Sequence, residues 1–196
     1  MENLTDQFFQ IDRKNRNLHK KHQSFVIWLT GLSGSGKSTI ADHLEQELFK
    51  RKYHTTILDG DNIRKGINND LGFSDKDRTE NLRRISEISK LMMNSGLITI
   101  SAFISPLEKD RQMCKDIIGS ENFIEVYLST SLMECERRDP KGLYSKARLG
   151  EIKDFTGISS AYETPTSPDI EINTEFDSIE KSVKTILDFI DLKNSK

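Results

Sequence analysis

The chain has 196 residues, with 29 Lys or Arg against 31 Asp or Glu and a formal net charge of −2. That balance excludes a broad polyanion-binding surface, which needs a surplus of positive charge, and a highly charged disordered tail. Charged residues at 31% and hydrophobic ones at 35% suit one polar globular domain, long enough to bury a core without a disulfide or metal staple.

Residues 1–24 read as a polar N-terminal arm, 25–191 as a single domain and 192–196 as a tail. Arg13 to His22 holds five basic residues and no acid, the pattern of a solvated, loosely ordered lead-in. The start carries no apolar signal core, and no stretch approaches the ~18 apolar residues of a membrane helix. A cytoplasmic protein with no membrane partner is therefore expected.

Phe25 to Thr30 is a short apolar, β-branched and aromatic run, hence a buried strand. Gly31 to Gly36 breaks it, and Ile40, Ala41, Leu44 and Leu48 then recur at helical spacing. Tyr53 to Leu58 is a second strand. A helix is signalled from Ser74, where Ser74-x-x-Asp77 resembles a capping box; Leu82, Ile85, Ile88, Leu91 and Met92 form its apolar stripe and Asn94-Ser-Gly96 ends it. Leu97 to Phe103 is the third strand, a helix follows Pro106, Phe123 to Leu128 is the fourth strand, and a short helix runs to about Arg138. Asp169 to Ile172 is a fifth strand, and Phe176, Ile179, Val183, Ile186, Leu187 and Ile190 mark a closing helix. Contiguous apolar strands alternating with helices predict an α/β fold, a parallel sheet of about five strands covered by helices on both faces. Asp139 to Ser167 is long, charged and poor in core positions, which predicts a lid or binding loop over about 139–167. Cys114 and Cys135 lack zinc-type spacing and are expected to be reduced and buried.

Gly31-Leu32-Ser33-Gly34-Ser35-Gly36-Lys37-Ser38-Thr39 fits G-x-x-x-x-G-K-[ST], between a strand and a helix. Glycines let successive backbone N–H groups turn inward toward phosphate oxygens, and the helix that follows offers its free N–H groups and positive dipole end. Lys37 can reach the β- and γ-phosphates of ATP, and the Ser38 hydroxyl can ligate Mg²⁺. No N-K-x-D guanine-reading motif occurs, which favours a kinase over a GTPase. Asp59 and Asp61 lie at the end of the second strand, where ligands of open parallel sheets bind. They can hold Mg²⁺ or accept a proton from an attacking hydroxyl. Downstream, Arg78 and Asn81 share a helix face, and Arg78 suits bidentate recognition of phosphate or sulfate. Of Arg83 and Arg84, at least one reads as plain surface charge.

Here the sequence resembles the adenylylsulfate kinase family, over roughly residues 24–190. The resemblance rests on Trp28 to Thr39, Leu58-Asp-Gly-Asp-Asn-Ile-Arg64, Asp70-Leu-Gly-Phe73 with Asp77-Arg-x-Glu-Asn81, Phe103-Ile-Ser-Pro106, Arg138 to Tyr144 and Phe155-Thr-Gly157. It implies a nucleoside-monophosphate-kinase-like P-loop fold and phosphoryl transfer from ATP·Mg²⁺ to adenosine 5′-phosphosulfate, with no nucleic-acid partner and a homodimer as the family's common form. It implies that the acceptor's adenine lies between Phe73 and Phe155, and that Arg64, Arg78 and Asn81 hold the phosphosulfate. Ile104, Ser105, Lys141 and Leu143 would complete the pocket, with Asp59, supported by Asp61, near the ribose 3′-hydroxyl and Ser38 and Asp59 at the metal. An aromatic pair is a sensible clamp for a purine, and Phe155 stands in a polar stretch where core packing is not expected.

P-loop kinases work mostly by positioning and charge neutralisation, so direct in-line transfer is expected, with Ser105 contacting the acceptor rather than carrying phosphate. Residues 137–153 carry six basic side chains against Asp139 and Glu151; closing them over ATP would exclude water. Glu108 and Ser159-Ser160 depart from the family pattern, and no cysteine precedes Cys114, so an N-terminal redox switch is not implied. The alternatives are a P-loop kinase for another small hydroxyl compound or nucleotide and a non-catalytic nucleotide-binding module.

Overall fold

The computed structural model describes residues 5, 7 and 9–194. Its elements in chain order are α1 (Arg13–Lys20), β1 (Val26–Thr30), α2 (Lys37–Lys50), β2 (Thr55–Asp59), α3 (Gly60–Lys65), α4 (Asp75–Asn94), β3 (Ile98–Ala102), α5 (Glu108–Ile118), β4 (Phe123–Leu128), α6 (Leu132–Arg138), α7 (Leu143–Arg148), β5 (Ile170–Ile172) and α8 (Ile179–Asn194). The five strands form one sheet in the order β2-β3-β1-β4-β5, and every pair is parallel. Apolar residues and a few small hydroxyl ones make up β1 and β3, which are buried at every position, as a sheet covered on both faces requires.

Two apolar layers flank the sheet. On one side Ile27 and Leu29 meet Leu44 and Leu48 of α2 and Val183 and Ile186 of α8. On the other, Val26 and Trp28 meet Leu82 and Ile85 of α4 and Cys114 and Ile118 of α5. Trp28 is wholly buried between Phe103 and Phe123, each 5.7 Å away and roughly parallel to it. Both cysteines are free and buried, as expected.

Four expectations change. The basic arm is not loose over 13–20. Asp12 and Asn15 cap α1 reciprocally, and Arg13 binds Ser24 and Asn122. Arg16 and Lys20 donate to the carbonyls of Asn94 and Ser95 at 3.3 and 3.1 Å. The positive charges of α1 thus complete the C-terminal end of α4, where carbonyls lack partners and the dipole favours cations. The stripe of α4 is rotated from the expected one: Met93 is buried, while Leu91 is 65% exposed, and the core face continues through Ser86 and Ser89, the latter bonded to Ser101 Oγ. Phe176 is exposed and precedes α8 instead of opening it. Ser74 does cap α4, but its hydroxyl donates to the Asp77 carboxylate, so the second backbone bond of a capping box is not made.

Candidate active site

The C-terminal ends of β1, β2 and β3 converge on one edge, with Asp59 level with Ala102 in the ladder. The phosphate loop leaves β1 there. Gly31 has φ 147°, and a Cβ on it would stand 2.8 Å from both Leu128 O and Ser35 Oγ, so the loop approaches β4 too closely for a side chain. Ser35 is buried under the loop, Gly36 caps α2 at φ 96°, and Ser38 and Thr39 are exposed on its first turn. The Lys37 ammonium donates to the carbonyls of Gly31 and Leu32 at 2.9 and 2.7 Å. Burial pushes its pKa down to about 8, against the opposing pull of Cys135, Asp59 and Asp61.

The Ser38 hydroxyl donates to Asp59 Oδ2 at 2.7 Å, and Asp59 Oδ1 accepts the Asp61 N–H that caps α3. A hydroxyl and a carboxylate side by side are hard oxygen donors, fitted to a Mg²⁺ that takes its other ligands from phosphate and water. Among the described residues no group of three His, Cys, Asp or Glu forms a closed metal cage.

The acceptor side is built by the loop between α3 and α4. Arg64 donates to the carbonyls of Leu71 and Gly72 and lies 4.5 Å over the Phe73 ring, which is 64% exposed. Burial lowers the Arg64 pKa, with the Arg78 charge adding to the effect. Arg78 joins this loop to the lid: it donates to Phe73 O at 2.8 Å, to Thr156 Oγ1 at 2.7 Å and to Asp154 O. Lys141 reaches across from the lid and pairs with Asp61.

The lid has a core of its own, contrary to expectation. Cys135, Tyr144, Ala147 and Phe155 are buried together, with Leu32, Leu132, Leu143, Ile152 and Ile158 packed around them. Tyr144 meets Phe155 edge-on at 4.9 Å and donates its hydroxyl to Ser33 O at 2.9 Å, fastening the lid to the phosphate loop. Arg138 binds Thr174 Oγ1 and O, and Thr174 donates to Ser35 O.

A family model described as adenylylsulphate kinase matches residues 23–173. The chain belongs to the adenylylsulphate kinase family. An adenylyl-sulfate kinase of Staphylococcus haemolyticus is 53% identical over 99% of this chain and 96% of its own. One of Pseudomonas aeruginosa is 54% identical over 92% of each. The solved structure of the Mycobacterium tuberculosis APS kinase in complex with AMPPNP and APS superposes with a TM-score of 0.84 at 43% identity, over 86% of this chain and 98% of that one.

In this adenylylsulphate kinase family member, three expected contacts are turned inward. Ser105 is 2% exposed; its hydroxyl accepts from Trp28 Nε1 at 3.1 Å and donates to Thr30 Oγ1 at 2.9 Å, so its side chain braces the strand ends. The neighbouring Ile104 carbonyl accepts from Thr30 at 2.7 Å. Asn81 is 4% exposed and accepts from Asn68 Nδ2 at 2.9 Å, so it holds the 66–71 loop from below. Phe155 offers little open ring because Tyr144 and the lid core enclose it. Arg83 and Arg84 are both surface charge, paired with Glu80, and Arg84 also with Asp70. Of the departures from the family pattern, Glu108 pairs with the buried Arg111, and Ser159 Oγ accepts the Phe155 N–H. Tyr144 and Thr174 fasten the phosphate loop without any sequence signal of that role. Tyr144 ends the Arg138–Tyr144 block, but nothing local says which carbonyl its hydroxyl meets.

Proposed function

We propose that this chain is an adenylyl-sulfate kinase that transfers the γ-phosphoryl group of ATP to the 3′-hydroxyl of adenylyl sulfate. The observation that carries this reading is the Ser38–Asp59 hydrogen bond, which joins a phosphate-binding loop to an acceptor loop bearing Arg64, Phe73 and Arg78. ATP lies along residues 31–39. Lys37 leaves the Gly31 and Leu32 carbonyls for the phosphate oxygens and regains full charge there. Asp59 orients the 3′-hydroxyl and takes its proton as the bond to phosphorus forms. Ser38 and Asp59 would hold a Mg²⁺, which would supply charge neutralisation at the phosphates. Arg64 and Arg78 offer guanidinium groups to the phosphosulfate, and Phe73 presents an open ring to the adenine. Ser105, enclosed by Trp28 and Thr30, leaves the transfer direct. Asp61 and Lys141 hold lid and acceptor helix together over the reacting groups. Exposed Ile11 and Leu18 on the α1 side offer an apolar face for a second copy, and we read the enzyme as a homodimer.

The test supplies ATP·Mg²⁺ with adenylyl sulfate, AMP, shikimate or gluconate and follows ADP release. Turnover with adenylyl sulfate is expected. Turnover confined to any of the other three would overturn the reading.

A further inference from the structure

The turn that leaves β3 stands between the two halves of the site. β3 lies between β2 and β1 in the sheet, so residues 103–105 emerge beside Asp59 on one side and the start of the phosphate loop on the other. Ligands of open parallel sheets bind at this edge. Ser105 gives the turn an unusual shape. Its φ is 40°, in the left-handed region, and of the five described non-glycine residues with positive φ it alone is buried. Such a backbone persists only where its surroundings over-determine it. Thr30 supplies part of that hold, since its hydroxyl donates to the Ile104 carbonyl at 2.7 Å.

Arg111, on α5, supplies the rest. It is 2% exposed, and its Nη1 donates to the Ser105 carbonyl at 2.9 Å. Its other nitrogens face carboxylates: Nη2 donates to Glu108, and Nε stands 3.2 Å from Glu125 Oε1. The Tyr162 ring covers the guanidinium at 5.9 Å, and the Tyr162 hydroxyl meets Thr30 Oγ1 at 3.0 Å. Ion pairing accounts for two of the three nitrogens; the third shapes the backbone. With the Ile104 and Ser105 carbonyls both drawn inward, the partly exposed Ile104 is the member of the turn that an acceptor can meet.

We propose that Arg111 is a positioning residue for the acceptor: braced by Glu108 and Glu125, it draws the Ser105 carbonyl inward and fixes the turn against which adenylyl sulfate lies. This rests on adenylyl sulfate being the acceptor. Arg111 touches neither substrate and acts through the Ile104–Ser105 segment.

The experiment measures KM for adenylyl sulfate and KM for ATP separately in each variant. Arg111→Lys keeps a buried charge for the two glutamates, but a single ammonium cannot reproduce a planar fork with three separate partners. It should raise KM for adenylyl sulfate by about tenfold, the scale of one hydrogen bond from a charged group, and leave KM for ATP within about threefold. Glu125→Gln keeps the bond to Ser105 and should leave both KM values within about threefold of the unaltered enzyme's. The double variant Arg111→Met/Glu125→Gln removes both buried charges, so it tests the turn even if Arg111→Lys does not fold. It should keep the raised KM for adenylyl sulfate. An unchanged KM for adenylyl sulfate or an equal rise in both KM values in Arg111→Lys, recovery in the double variant, or the same rise in Glu125→Gln would each overturn the assignment. No turnover of adenylyl sulfate by the unaltered enzyme would instead defeat the acceptor assignment itself.

Discussion

The Asp59 carboxylate answers to both halves of the cleft: one oxygen meets the phosphate loop at Ser38 and the other caps α3. Asp59→Asn keeps the cap acceptor but removes the charge and the base. Its kcat should fall by about 10²–10⁴, the range of positioned acid–base groups, with ATP affinity measured by titration calorimetry much less affected. Lys37 gives a prediction in pH. Its folded pKa of about 8 lies below the ordinary 10.5. Between those values the unfolded chain holds more protons than the folded one, so this lysine's contribution to stability rises with pH through that window. The penalty of enclosing its charge is fully present below about pH 8. Phosphate oxygens favour the charged form, so nucleotide binding at pH 8.5 should take up a proton. Calorimetry in buffers of different ionisation enthalpy checks this, and buffer-independent heats would refute it.

At the scale of elements, α1 shows how a docked basic helix resembles a loose arm in sequence. Its basic residues look solvated in sequence because their partners are carbonyls of Asn94 and Ser95, some 75 residues or more away, which carry no compositional signal. Arg13→Ala strips the bonds to Ser24 and Asn122, and should cost about 1–3 kcal/mol, seen as a lower urea midpoint with kcat retained. A midpoint unchanged from the unaltered protein would mean that α1 docks without it. The lid core is hidden in the sequence for a related reason. Tyr144, Ala147 and Phe155 are too sparse to show a helical or strand period, yet they meet Leu32 and Leu132 from outside the lid to make a small core.

For the molecule as a whole, the strands were legible because they are short stretches rich in apolar and β-branched residues, and the expected strand 123–128 coincides with β4. The phosphate loop was legible because its chemistry is local to nine residues. What sequence could not convey was orientation. Ser105 and Trp28 are 77 residues apart, and only the fold reveals that the serine faces the indole. The net charge of −2 likewise averages over a cleft in which Lys37, Arg64, Arg78 and Lys141 gather. That same Ser105–Trp28 contact has an optical consequence. The chain has one tryptophan, and its indole N–H begins a relay through Ser105 and Thr30 to the hydroxyl of Tyr162, at the far end of the lid. Intrinsic fluorescence is thus a label-free reporter wired to the lid: adenylyl sulfate with ADP should shift the emission, Thr30→Val should blunt the shift, and a spectrum indifferent to saturating ligand would mean that the relay carries no signal.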